Sequence, residues 1–155
     1  MKNSKKKKMK ILKFLALSFM ILVGNGCNAQ TNVNDKQSIF MLKEFYTAYS
    51  KVSLRIEDLP KVDSLQEKYC TLQLRKEAKK YLEDGHDLLT DDWGISKESL
   101  TSMGITKDST KENTYVVSYI VDSYPVAPDK PVKKQVKLYV TVIKEGESYK
   151  IDSVR

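Results

Sequence analysis

Apolar positions follow three patterns along this chain. Residues 11–23 (ILKFLALSFMILV) are almost continuously apolar, broken only by Lys13. From 35 to 84 the apolar residues recur at steps of three and four, and beyond 114 they alternate. In the middle region, Ile39, Leu42, Phe45, Tyr46, Tyr49 and Val52 predict one face of an amphipathic helix over roughly 35–54. Asp35 is placed to cap its start. Pro60 bars any helical continuation from the residues before it. Val62, Leu65, Tyr69, Leu72, Leu74, Ala78, Tyr81 and Leu82 predict a second helical stretch, divisible into two helices near Cys70-Thr71. Asp84-Gly85 closes it, with Gly85 suited to a left-handed cap.

The alternating part predicts strands. Residues 99–105 read as a short one, and 115–123 (YVVSYIVDS) as a strong one, rich in β-branched and aromatic residues. Residues 136–143 follow, with Leu138, Val140 and Val142 on one face. In a last strand, Tyr149, Ile151 and Ser153 alternate with Lys150, Asp152 and Val154. Glu145-Gly146-Glu147 predicts a tight hairpin turn between these two. Pro125, Pro128 and Pro131 mark a stiff loop, since proline has no N–H to give to a central strand. Helices first and antiparallel strands afterwards imply an α+β fold: N-terminal helices packed on a curved, cone-like antiparallel sheet of three to four strands.

The apolar run at 11–23 follows Lys2, Lys5, Lys6, Lys7, Lys8 and Lys10 and precedes Gly24-Asn25-Gly26-Cys27. A basic head, an apolar middle and small residues at the exit are the parts of a bacterial secretion signal. The run is shorter than the about 20 residues a membrane span needs. The expected organisation is a signal at 1–26, a polar tether at 27–36 and a single α+β domain at 37–155.

Charge changes meaning once that signal is set aside. The chain has 27 Lys and Arg against 20 Asp and Glu, a formal net charge of +7. Seven lysines and no acid precede Cys27, so the remainder balances at 20 against 20. A nucleic-acid partner is therefore not expected.

Cys27 is the candidate lipid-attachment residue, cleaved on its N-terminal side after Gly26. The rival is ordinary cleavage after Ala29, with Cys27 and Ala29 as the small residues of the site. Acylation would anchor the protein to the cell envelope, facing the periplasm or the exterior. Cys70 would then have no partner within the chain, and its apolar setting predicts a small buried core residue.

A leader ending at Cys27, the helix around Phe45-Tyr46, Tyr69-Cys70-Thr71 followed by Arg75, Lys76, Lys79 and Lys80, an Asp-rich loop, and the terminal Tyr149-Lys150-Ile151-Asp152-Ser153-Val154 together resemble a known group. These are the small secreted bacterial proteins grouped as domain of unknown function 3828. The resemblance implies a fold similar to the cystatin-like and nuclear-transport-factor-2-like cones, and an envelope lipoprotein without assigned activity. That group carries a Gln-Asp pair where this chain has Asp91-Asp92.

One segment could carry chemistry. Residues 84–94 concentrate four carboxylates (Asp84, Asp87, Asp91 and Asp92) with the only histidine, His86, and the only tryptophan, Trp93. A helical turn from Asp87 to Asp91 would put those two carboxylates on one face. The spacing matches no EF-hand loop and no zinc motif, so neither metal nor cofactor is expected. Turn and cap chemistry explains Asp and Gly here equally well. Tyr124, beside Pro125 on an expected exposed loop, is the best single interface candidate.

No nucleophile elbow or phosphate-binding loop points to an enzyme. The expected function is a non-catalytic, envelope-anchored lipoprotein that binds an envelope protein or a small ligand. Asp84, His86, Asp87, Asp91, Asp92, Trp93 and Tyr124 form the candidate site. Two narrower versions stay open, a periplasmic immunity protein against a contact-delivered toxin and a small-ligand-binding cone domain.

Overall fold

Helix α1 spans Gly26–Tyr49 in a computed structural model that describes residues 26–52, 56–91, 94–123 and 130–155, with side chains from residue 34 onward and excepting Ile56. Residues 1–25, which hold nearly all of the expected secretion signal, the Cys27 side chain, Asp92, Trp93 and Tyr124 lie outside what is described. No helix among the described residues is long and apolar enough to cross a membrane.

Asp35–Arg155 makes one compact unit. Within it Ser38, Met41, Leu42, Phe45, Tyr46 and Tyr49 are buried, the inward face of α1. The helix starts earlier than the sequence pattern predicts and takes in the polar stretch 27–36. Neither Pro nor Gly interrupts 27–49, so nothing there breaks the backbone ladder. Asp35 is thus not a cap. Its carboxylate receives Lys107 Nζ at 2.5 Å and the Tyr115 hydroxyl at 2.9 Å. The helix also stops sooner, at Tyr49 instead of near residue 54. Ser50 turns its hydroxyl back on the Thr47 carbonyl at 3.0 Å, a local bond that competes with the helix.

After a 3-10 turn at Ile56–Asp58, helices α2 (Leu59–Tyr69) and α3 (Leu72–Glu83) meet at a corner. Pro60 sits in the first turn of α2, where no N–H is needed. Cys70 and Thr71 are extended at the corner, and Thr71 caps α3 by accepting from Leu74 N. The extended pair lies along the last strand: Cys70 bridges Ile151, and Thr71 N donates to Ile151 O at 2.9 Å. Lys150 reaches the Glu67 and Lys68 carbonyls at 2.9 and 2.6 Å, a cation at the C-terminal end of α2.

Helix α4 (Lys97–Thr101) replaces the first part of the strand predicted at 99–105. Ser96 accepts from Ser99 N at 3.0 Å and nucleates the turn; β1 begins only at Gly104. Strands β1 (Gly104–Lys107), β2 (Thr114–Ser123), β3 (Val132–Glu145) and β4 (Ser148–Val154) form an open antiparallel sheet in the order β1-β2-β3-β4. The fold is α+β, helices followed by a four-stranded meander. Gly146, at φ 63°, makes the tight β3–β4 turn.

Tyr115, Val117 and Tyr119 of β2 face Val140, Leu138 and Val136 of β3 on the buried side. On β4 the alternation breaks. Val140 pairs Val154, but Val142 pairs Ile151, so Asp152 is an extra residue in the ladder. The bulge turns both Ile151 and Val154 inward, although strict alternation puts them on opposite faces. The space between α1 and the sheet is filled by Leu42, Phe45, Tyr46, Tyr119 and Leu138, with the Phe45 and Tyr46 rings edge-to-face at 5.0 Å.

Candidate functional site

Helix α3 ends in a Schellman motif that launches the Asp-rich loop. Gly85 N donates to Leu82 O and His86 N to Tyr81 O, both at 3.0 Å, with Gly85 at φ 78°. Asp84 is the exposed C-cap residue. From there the chain dives inward, and Asp87, Leu89 and Thr90 are buried.

Asp87 is 3% exposed. Its Oδ1 accepts from Leu89 N at 3.1 Å and from the Tyr49 hydroxyl at 3.3 Å. Its Oδ2 accepts from Thr90 Oγ1 at 2.7 Å. Burial pushes its carboxyl above the usual range, opposed by these three donors and by nearby His86. Burial and the neighbouring Asp87 carboxylate push the Tyr49 phenol well above its ordinary value. Tyr46 donates to Leu89 O at 3.2 Å, and Tyr119 donates to Thr90 O. Two tyrosines of α1 and one of β2 therefore tie this loop to the core.

The sequence-predicted site residues divide. Asp87 and Asp91 do not share a face, contrary to the helical-turn expectation. Asp87 is drawn in by its donors, whereas Asp91 adopts φ 52° and stays outside. An Asp tolerates that left-handed conformation better than most side chains. The structure brings His86 and Asp91 together at the surface, Nε2 to Oδ1 3.4 Å, with side chains 43% and 57% exposed. The Tyr81 ring lies 6.0 Å from the His86 ring. Among the described residues, no group of three or more His, Cys, Asp or Glu is placed to hold a metal ion.

Tyr46, Tyr49 and Tyr119 are the loop residues' partners that sequence reasoning missed. A signal existed: each lies on an apolar face, and a buried phenol needs an acceptor. What sequence could not supply was the pairing, across separations of 43, 38 and 29 residues. Cys70 is buried, and burial pushes its thiol up to about 12, against the pull of Lys150 and Arg75.

No family model and no curated protein matches the chain. Its fold is similar to the crystal structure of a protein of unknown function from Bacteroides thetaiotaomicron. The TM-score is 0.69 at 21% identity, over 82% of this chain and 95% of that one. The likeness is one of fold.

Proposed function

We propose that this protein is a non-catalytic, envelope-anchored binding module of the domain of unknown function 3828 type, which recognises a partner protein through its Asp-rich loop. One observation carries the reading. The loop is fastened from beneath by Tyr46, Tyr49 and Tyr119, while His86 and Asp91 stand on its outer side. A fixed loop loses little entropy when it binds, which favours recognition. Asp87, whose raised pKa would otherwise suit a general acid, has its oxygens committed to three donors beneath the surface. That arrangement suits a structural carboxylate better than a reacting one. The lipid anchor rests on the sequence pattern ending at Cys27.

The test is in-cell crosslinking and capture of the tagged protein from its native envelope, beside a His86→Ala/Asp91→Asn chain. The reading expects one stoichiometric partner with the wild type and at least tenfold less with the variant at equal protein level. Equal capture by both chains, or no partner, refutes it. The mature mass tests the anchor separately: a chain beginning at unmodified Gln30 removes it.

A further inference from the structure

Helix α3 turns Leu74 and Ala78 inward and leaves an outer face made of Leu72, Lys76, Lys79, Lys80 and Glu83 at steps of three and four. Two features of this face run against a merely solvated surface. Leu72 is 62% exposed in the first turn, among the most exposed large apolar side chains described. Lys76 and Lys80, four residues apart, repel one another at helical spacing. None of the three lysines pairs with a carboxylate among the described residues. Glu83 lies on the face, and exposed Glu77 flanks it three residues before Lys80.

The same character continues at the α2–α3 corner, from which Leu72 projects. A shallow groove that takes in Tyr69, the last residue of α2, is lined also by Phe40, Lys43, Glu44 and Lys51 of the α1 side. Phe40 is 63% exposed, and Lys68 Nζ sits 4.7 Å over the Tyr69 ring. This local positive surface occurs on a chain whose charges balance beyond residue 26.

We propose that the outer face of α3 and the adjoining corner dock on an anionic phospholipid bilayer. Lysine stems would lie along the surface with their ammonium groups at the phosphates, while Leu72 enters the headgroup region. The chemistry favours a bilayer over a folded protein partner. Three lysines, without a carboxylate partner among the described residues, share one helix side with an exposed apolar side chain, the pairing that a layer of phosphates over an apolar interior complements. The idea is compatible with the envelope anchoring proposed above, and rests on it for the domain's nearness to a membrane.

The test is amine footprinting of the full chain as isolated from cells. It is reconstituted with vesicles of phosphatidylglycerol and phosphatidylethanolamine, or of phosphatidylcholine alone. Labelling of Lys76, Lys79 and Lys80 should slow at least about fivefold on the anionic vesicles only, and the protection should vanish in 0.5 M salt, where screening shortens to a few ångströms. Lys97 and Lys144, on other elements, should label equally in both. In the Lys76→Gln/Lys79→Gln/Lys80→Gln chain, Lys68 should lose its own protection. Equal labelling of the three lysines on both vesicles, uniform slowing that includes Lys97 and Lys144, or protection that survives salt overturns the proposal. The mature mass separates the two readings. Acylated Cys27 with unprotected lysines removes this surface alone. An unmodified N-terminus with salt-sensitive protection removes the anchor and sustains the surface.

Discussion

Asp87 offers the sharpest test of how the loop is held. Replacing it with Ala removes the acceptor for Leu89 N, the Tyr49 hydroxyl and Thr90 Oγ1 together. A buried donor left without its acceptor costs about 1–3 kcal/mol. Relief from burying a carboxylate, and rotation of the two hydroxyls, offset part of that. The net expectation for Asp87→Ala is a loss of about 2–4 kcal/mol, a large share of the roughly 5–15 kcal/mol that holds a domain together. Asp87→Asn differs in kind. Its Oδ1 can still accept from Leu89 N and Tyr49, and its Nδ2 can donate to Thr90 Oγ1 once that hydroxyl rotates. The charge disappears with its desolvation cost. Asp87→Asn should therefore stay within about 1 kcal/mol of wild type near neutral pH.

The pH dependence gives the sign. Burial raises the Asp87 pKa above its ordinary 3.8 in the folded chain. Between 3.8 and that raised value the folded state holds a proton that the unfolded chain has released. Its contribution to stability is complete below 3.8 and is lost as pH climbs through the folded value. Urea midpoints of wild type and Asp87→Asn, followed by circular dichroism from pH 3 to 8, check this. The wild-type advantage should shrink with rising pH and then level. An advantage that grows with pH, or an Ala variant as stable as Asn, would refute the reasoning.

Other consequences are simpler to measure. Gly85→Ala forces a Cβ into the left-handed Schellman position and should cost about 1–2 kcal/mol in urea unfolding. Lys150→Met removes the cation from the α2 carbonyls and should cost about 0.3–1 kcal/mol, shrinking in high salt. Cys70, buried and held up to about 12, should stay unlabelled by a thiol reagent in the native protein at pH 8 and react at once in denaturant. Rapid native labelling would mean that the α2–α3 corner opens away from β4.

Much of the fold was legible because burial imposes periodicity. Leu42, Phe45, Tyr46 and Tyr49 had to share one helical face, and Leu138, Val140 and Val142 one strand face. The corner at Cys70-Thr71 and the cap at Gly85 also lay in the sequence, since Thr and Gly carry local conformational preferences. What stayed hidden was decided by partners distant in sequence or by competition between short-range bonds. Residues 97–101 follow Ser96, whose hydroxyl caps a helical turn before any strand can start. The extra residue Asp152 in β4 depends on the ladder with β3, so alternation misplaced Val154.

The Asp-rich loop shows the same division within one short segment. The sequence pattern suggested that Asp87 and Asp91 share one face of a helical turn, because nothing local distinguishes the two. The difference comes from Tyr49, whose hydroxyl reaches Asp87 from 38 residues away. Beside the inward Asp87, Leu89 and Thr90 are buried too, and their carbonyls accept from the Tyr46 and Tyr119 hydroxyls. Asp91 must then leave the core within one residue, and it does so in a left-handed conformation that leaves its carboxylate beside His86. The recognition surface proposed for this protein is therefore a by-product of core satisfaction. A substitution at Tyr49 should disturb His86 and Asp91 as surely as a substitution in the loop itself.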